Sequence, residues 1–152
     1  MAATLTSRLA TNSPLSLRQK ASLAAEIFTT YMHARRLLRR HSLPQALQTL
    51  RGRPGEASAA QGNAAEPAPG QIVTAVKLGR AVTRTLRALP TDDRCLIRSV
   101  TLAALLTDRE IDCRVVIGAR AGSDFSAHAW VEVAHLSVLE TDPAVFQPMW
   151  RG

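Results

Sequence analysis

The fold is decided by residues 90–142, which read PTDDRCLIRSVTLAALLTDREIDCRVVIGARAGSDFSAHAWVEVAHLSVLETD. After Pro90, a capped apolar segment predicts a helix that carries Cys95. Two β-rich segments follow, His128 heads the second of them, and Asp142 closes the stretch. A cysteine on a helix, followed by a histidine and a carboxylate on strands, provides the groups of a thiol hydrolase.

The helix that carries the cysteine is predicted over 92–108. Thr91 is a suitable N-cap, and Asp92 and Asp93 fall in the first turn, where the helix dipole favours negative charge. Three strands are predicted after it, at 113–119, 128–133 and 138–141. The chain is expected to turn over 134–137, and the tail over 143–152 is expected to pack against an edge of the domain.

The first fifty residues predict two helices, over 16–40 and 43–50. Ser16 is the expected N-cap of the first helix, whose apolar residues recur at three- and four-residue spacing. Its apolar face is expected to comprise Leu17, Leu23, Ala24, Ile27, Phe28, Tyr31, Leu37 and Leu38. Its last turns carry Arg35, Arg36, Arg39 and Arg40. This basic end is either a solvated surface or a contact for a membrane or a partner protein.

The composition of the chain changes after residue 50. Residues 51–70 are rich in Gly, Pro, Ala and Ser and offer little apolar surface to offset the ordering entropy, so they predict a flexible linker. Residues 72–89 predict a further helix, which Pro90 ends. The sequence thus predicts an N-terminal helical extension over 1–50, a linker over 51–70 and a catalytic domain over 71–152.

The charge and composition of the chain limit its possible partners and its location. The formal net charge is +7, which suits nucleic acid, an anionic membrane surface or an acidic peptide. No basic cluster is interleaved with aromatic residues, which argues against nucleic acid. Two cysteines make no disulfide framework, and we find neither a signal sequence nor the roughly 20 apolar residues of a membrane span. We therefore expect a cytoplasmic protein.

The cysteine and the histidine are the centre of the predicted chemistry. Cys95 falls in the first turn of its helix, where unpaired N–H groups and the dipole favour a thiolate, the species that attacks acyl groups. His128 can form an ion pair with it across a helix–sheet layer and then protonate the leaving amine. Each residue seen singly is commonly structural, and the pairing favours the hydrolase interpretation. Trp130 either packs in the sheet or walls a substrate cleft.

A third group should orient the imidazole by accepting a hydrogen bond from its other nitrogen. Counting back from the hairpin turn pairs His128 with about position 142 or 143, which makes Asp142 the first candidate. Glu140 is the second candidate, since it shares a strand face with Asp142. Glu132 and Asp124 are weaker candidates.

No metal or cofactor is expected. His33, His41, Cys113 and His135 show no tight ligand spacing with one another or with His128. Cys113 is expected to fill the core, and His135 is expected to lie in a solvated turn.

Five segments carry a resemblance to a known family. They are 94–99 (RCLIRS), 102–106 (LAALL), Ile111, 116–118 (VIG) and 125–133 (FSAHAWVEV). Together they resemble the lasso-peptide biosynthesis B2 proteins, which are leader peptidases of the transglutaminase-like superfamily. The resemblance covers 72–150 well and the N-terminal helix in general character.

The resemblance implies a fold, a reaction and partners. The fold would be an α+β, papain/transglutaminase-like core, and the reaction would be removal of the leader from a ribosomally made precursor peptide. The family's triad would fall on Cys95, His128 and Asp142, and the run 138–143 (VLETDP) is similar to the family's acidic segment. The partners would be a small leader-recognition protein, B1, and an ATP-dependent cyclase, the C protein, which closes the macrolactam.

Two other functions fit the same residues. One is a transglutaminase-like amidase or acyltransferase that acts on another peptide. The other is a peptide-binding scaffold without catalysis.

Overall fold

A computed structural model describes residues 16–50, 68–88, 95–120, 126–138 and 146–152. This part of the chain contains four helices followed by a small antiparallel sheet, an α+β arrangement. The helices are α1 (Leu17–Arg40), α2 (Leu43–Leu50), α3 (Pro69–Ala88) and α4 (Cys95–Thr107). The strands are β1 (Arg114–Arg120), β2 (Ser126–Val133), β3 (Leu136–Ser137) and β4 (Gln147–Arg151), in the order β3-β2-β1-β4.

The first helix begins where its capping residues predict. The Ser16 hydroxyl accepts a hydrogen bond from the Gln19 backbone N–H at 3.3 Å, and the Gln19 side chain accepts one from the Ser16 N–H at 2.8 Å. This reciprocal pair satisfies two N–H groups that a helix start leaves unpaired. The expected apolar face is wrong at Leu17, which is 84% exposed because packing against other helices begins further along, near Leu23 and Ile27.

The third helix starts earlier than its apolar pattern predicts. It begins at Pro69, so the last two residues of the predicted linker are helical. Proline suits a first helical turn because the N–H it lacks would have no partner there. The rest of the predicted linker, 51–67, lies outside the described residues.

The fourth helix forms the centre of the core. Its residues from 99 to 106 are all buried, and Leu102, Leu105 and Leu106 are fully inaccessible. Burial of a leucine side chain contributes about 1.5–3 kcal/mol, so this helix supplies much of the apolar driving force. Residues from α1, α2, α3, β1 and β2 join it in one cluster, represented by Ile27, Leu47, Val82, Val115 and Val131.

Helix α1 is joined to this core by an ion pair as well as by apolar contacts. The Arg109 guanidinium, just after α4, donates to the Glu26 carboxylate of α1 at 2.9 Å. A second nitrogen of the same guanidinium donates to the Leu105 carbonyl at 2.9 Å. The pair is partly exposed, so its contribution is modest, but it fixes how α1 crosses the end of α4.

The sheet begins with a long antiparallel pair. Strand β1 pairs with β2 from Arg114↔Glu132 to Arg120↔Ser126. Strand β1 begins and ends one residue later than predicted, and β2 begins two residues earlier than predicted. The sequence also predicts a turn over 120–125, of which 121–125 lie outside the described residues. Strand β4 pairs with the other side of β1, so the C-terminal tail packs a sheet edge, as expected.

The second hairpin turn is shorter than predicted. It consists of Ala134 and His135, both with positive φ (50° and 66°), and Val133 pairs directly with Leu136. Two residues of positive φ give a turn whose twist matches that of the strands it joins, which a four-residue turn would not require. The third strand is therefore observed at Leu136–Ser137, two residues before the predicted start at 138, and residues 139–141 of the predicted strand lie outside the described residues.

Gly118 allows a close contact between β1 and the Trp130 ring of β2. A Cβ on this residue would lie 2.7 Å from the indole of Trp130 and 3.0 Å from the Gln147 carbonyl oxygen. Trp130 is fully buried, so its ring has little room to retreat. A side chain at position 118 would therefore displace the ring beside His128 or push β4 away.

We expect Gly118→Ala to lower the free energy of unfolding by about 1–3 kcal/mol through this overpacking. Gly70→Ala is the matched control, since nothing lies within 4 Å of a Cβ there and Gly70 is helical. The control should leave stability unchanged or raise it by up to about 1 kcal/mol. Urea denaturation of both variants checks this, and equal effects would contradict the packing argument.

Candidate active site

Cys95 is the first residue of α4 and is half-buried. Its place at the helix start agrees with the predicted first turn, where backbone N–H groups have no partner within the helix. The predicted cap and the first-turn acids, at 91–93, lie outside the described residues. Cys95 is a free thiol, as is the buried Cys113.

One hydrogen bond connects the cysteine helix to the histidine strand. The Ser99 hydroxyl, one turn beyond Cys95, donates to the Ala129 carbonyl at 3.0 Å, and Ser99 is fully buried. Ala129 directly follows His128 in β2. Because an α-helix rises 1.5 Å per residue, the Cys95 backbone lies about 6 Å along the axis from this bond.

The acceptor carbonyl lies on the edge of β2 that faces away from β1. The Val138 N–H donates to the Val131 carbonyl at 3.0 Å, so that carbonyl points away from β1. Carbonyls two residues apart in a strand point to the same side, so the Ala129 carbonyl also points away from β1. Helix α4 therefore meets β2 at its edge, beside His128.

His128 projects from the other face of the sheet. Side chains alternate along a strand, so His128 shares a face with Trp130, whereas Val131 faces the helical core. The expectation that His128 and Cys95 meet stays a prediction. Because valines line the face of β2 that packs on the helices, we expect such a contact at the edge of β2 beside Ala129.

Two aromatic rings confine the imidazole. The His128 ring lies 5.3 Å from the Phe146 ring and 6.4 Å from the Trp130 ring, between centroids. Trp130 is fully buried, and its Nε1–H donates to the Glu132 carboxylate at 3.0 Å. Of the two predicted roles of Trp130, the structure favours packing in the sheet.

Burial lowers the pKa of His128 from its usual value of 6.5, and the positive charge of Arg98 lowers it further. Both causes act in the same direction, because each disfavours the imidazolium form. His128 is therefore neutral at pH 7 and is available as a base. The predicted resting ion pair, which needs an imidazolium, is not favoured by these surroundings.

Arg98 brings a positive charge to the same edge. It lies three residues beyond Cys95, on the same side of α4 as Ser99, and is half-buried. Its Nε atom is buried and has no hydrogen-bond partner among the described residues. The positive charge therefore lies within electrostatic reach of His128 without being neutralised by a described carboxylate.

Three of the four candidates for the orienting carboxylate, Asp142, Glu140 and Asp124, lie outside the described residues. The fourth candidate, Glu132, accepts a hydrogen bond from the indole of Trp130, and its other oxygen lies 3.8 Å from Arg151. The observed hairpin pairs, Glu132↔Ser137 and Val133↔Leu136, end before Glu140 and Asp142, so the choice between these two stays a prediction.

The remaining cysteine and histidines lie away from this edge. Cys113 is buried and its sulfur lies 3.7 Å from the Ala103 carbonyl oxygen, which confirms it as a core residue. His33, His41 and His135 are exposed, and His135 lies in the hairpin turn as predicted. No group of three potential metal ligands occurs in the described ranges. None of the described helices has the length and apolar character of a membrane span.

Sequence reasoning gave no role to Ser99 or Phe146. The signal for Ser99 was present, since a polar side chain four residues after Cys95 falls on the same stripe of a helix that is otherwise apolar. No local pattern indicates Phe146, because its contact with His128 depends on how the chain returns to the sheet.

A family model described as the transglutaminase-like superfamily matches residues 27–151. The chain belongs to the transglutaminase-like superfamily. The match begins inside α1 and reaches β4, so it includes the cysteine helix, the sheet and the helices packed on them. It agrees with the α+β fold, and members of this superfamily generally include cysteine peptidases and acyltransferases. No curated protein and no solved structure shows a significant match.

The lowered pKa of His128 predicts how stability depends on pH. As pH falls through 6.5, the unfolded chain takes up a proton at His128 that the folded chain takes up only at lower pH. The free energy of unfolding should therefore decrease across this interval. Urea denaturation at about pH 7.5 and pH 5 should show a smaller decrease for His128→Gln than for the parent.

His135→Asn is the control for this measurement. His135 is exposed and has positive φ, a conformation that asparagine tolerates. This variant should keep the pH dependence of the parent. The same slope in the parent and in His128→Gln would contradict the assignment to His128.

Proposed function

We propose that this member of the transglutaminase-like superfamily is a cysteine peptidase that removes the leader from a ribosomally synthesised lasso-peptide precursor. The observation that carries the hydrolase part is the Ser99–Ala129 hydrogen bond, since Cys95 and His128 flank it on their two elements. The lasso-peptide part is supported by the segments RCLIRS (94–99) and FSAHAWVEV (125–133).

The proposed reaction uses His128 as a base and then as an acid. Neutral His128 takes the proton from the Cys95 thiol as sulfur attacks the scissile carbonyl carbon. The tetrahedral intermediate collapses with cleavage of the C–N bond, and His128 returns the proton to the leaving amine. Water then hydrolyses the thioester with His128 again as base, which releases the carboxylate product and restores the thiol.

Two positive features of α4 support this chemistry. The Cys95 backbone N–H, at the helix start, is a candidate donor to the oxyanion of the intermediate. The charge of Arg98 can stabilise negative charge on that oxyanion. The same charge favours the neutral form of His128, which is the form that accepts a proton.

We propose Asp142 as the carboxylate that orients His128, with Glu140 as the alternative. The segment that holds both residues joins two described residues near β2. At one end, the Val138 N–H donates to Val131, and just after the other end the Phe146 ring lies against His128. Three residues lie between Asp142 and Phe146 in the sequence, so the two are at most about 15 Å apart.

The proposed partners follow from the family resemblance and the charge. They are the precursor peptide, the B1 leader-recognition protein and the C cyclase, all acting in the cytoplasm. An acidic surface on such a partner would be complemented by α3, whose exposed Arg80, Arg84 and Arg87 form one stripe without an acidic residue on that helix. The basic end of α1 is the proposed site of peripheral contact with an anionic membrane.

The two alternative functions stay distinct in their products. A transglutaminase-like amidase or acyltransferase would leave the peptide chain intact and change a glutamine side chain. A scaffold would bind the peptide and leave its mass unchanged. Mass spectrometry of the precursor therefore separates all three functions.

We expect the purified chain, with the leader-recognition protein present, to release free leader from the precursor. Cys95→Ala should reduce this release by at least about 1,000-fold, because no nucleophile remains. The matched control is Cys113→Ala, which removes a buried thiol and should retain turnover if the chain folds. Release at the parental rate by Cys95→Ala would exclude the proposed chemistry.

We expect Asp142→Asn to lower kcat of leader release by about 10²–10⁴-fold, since an amide can stabilise the wrong imidazole tautomer. Glu140→Gln should retain most of the activity. Steady-state kinetics on both variants checks the assignment. The opposite order of effects would move the role to Glu140, and no loss in either variant would show that neither residue orients His128.

A further inference from the structure

The Ser99 hydroxyl differs from the other hydroxyls of α4. Thr101 donates to the Ile97 carbonyl at 2.7 Å and Thr107 donates to the Ala103 carbonyl at 2.9 Å, so both bond within the helix. Ser99 instead donates to Ala129 in β2. Its side chain thus makes a connection between elements where the same helix offers an acceptor of its own.

This bond can fix a position that apolar packing leaves loose. Most of the described packing between α4 and the sheet is made by apolar side chains, whose attraction has no preferred direction. A hydrogen bond is sensitive to a few tenths of an ångström and to angle. The Ser99–Ala129 bond therefore sets how far α4 lies along β2.

A shift of α4 along β2 at this bond would also affect the two groups of the proposed chemistry. Cys95 is one turn before Ser99 on the same stripe of α4, and His128 is joined by a peptide bond to Ala129. A slide of the helix along the strand would change the distance from sulfur to imidazole. A slide of 1 Å at a catalytic centre can cost about 100-fold in rate.

We propose that Ser99 is a positioning residue that holds the Cys95 sulfur in reach of the His128 imidazole at the edge of β2 that faces away from β1. The proposal rests on the cysteine-hydrolase chemistry proposed above. Ser99 is fully buried, so it acts through the placement of α4 and touches no substrate.

The test is Ser99→Ala, which leaves the Ala129 carbonyl without the donor that the described structure provides. We expect kcat of leader release to fall by about 10- to 100-fold with KM changed less than about threefold. A substitution that merely destabilised the fold would lower the active fraction, so kcat is corrected for the concentration of reactive Cys95 thiol.

Thr101→Val is the matched control. Thr101 is also fully buried on α4, and its hydroxyl bonds to the carbonyl one turn back. The control loses a buried hydroxyl of the same helix and should lose some stability, but it leaves the contact to β2 in place. We expect its kcat to stay within about threefold of the parent. An equal loss of kcat in both variants would overturn the proposal.

A second readout needs no substrate. The rate at which iodoacetamide alkylates Cys95, followed by peptide mass analysis, should fall at pH 7 in His128→Ala, because the base is gone. It should fall in Ser99→Ala as well, by at least about threefold, and stay unchanged in Thr101→Val. Buried Cys113 serves as the internal reference for unfolding.

The outcomes separate the two proposals. If His128→Ala does not slow alkylation and Cys95→Ala does not abolish leader release, the cysteine-hydrolase function fails. If His128→Ala slows alkylation but Ser99→Ala alters neither alkylation nor kcat, the function stands and Ser99 has no positioning role. Slower alkylation and lower kcat in Ser99→Ala, with neither change in Thr101→Val, support the positioning role.

Discussion

The Ser99–Ala129 hydrogen bond joins two parts of the molecule that the candidate chemistry needs to keep together. On the helix side, α4 is held by apolar burial, and each fully buried leucine contributes more to stability than a hydrogen bond does, about 1.5–3 against about 1 kcal/mol. Apolar burial keeps α4 in the core but does not specify its position along β2. One directional contact at the sheet edge supplies that specification.

The location of this contact at an edge has chemical consequences. The Ala129 carbonyl points away from β1, and His128 leaves the strand on the face opposite the core valines. The imidazole is enclosed by Trp130 and Phe146 and lies within reach of the charge on Arg98. These surroundings lower the pKa of His128 and favour a neutral base. The proposed mechanism therefore moves the thiol proton during attack and does not require a resting ion pair.

Local signals predicted much of the fold. The capping residues at Ser16, the apolar spacing of α4 and the β-rich runs around Val115 and Val131 each identify an element from its own sequence. Where the prediction was wrong, the deciding interaction was not local. Leu17 fits the helical pattern but is exposed among the described residues, and the turn at Ala134 depends on strand pairing that places two residues at positive φ.

The candidate site was predictable in its residue types more than in its geometry. A cysteine at a helix start and a histidine on a strand follow from short patterns around Cys95 and His128, and the superfamily match agrees with the fold that unites them. The route of approach around the edge of β2, and the neighbours Ser99 and Phe146, depend on tertiary packing. The hairpin turn is two residues shorter than counting from the sequence predicted, and the orienting carboxylate, which lies beyond Val138 outside the described residues, stays a prediction.

The central claim is that the sulfur of Cys95 and the imidazole of His128 lie within contact distance around this edge. A crystal structure of the chain at high resolution measures that separation directly. The account predicts about 4 Å or less between Sγ and the nearer ring nitrogen, allowing for the longer contacts of a substrate-free site. A separation above about 7 Å, in a crystal where the Ser99–Ala129 bond is intact, would contradict it.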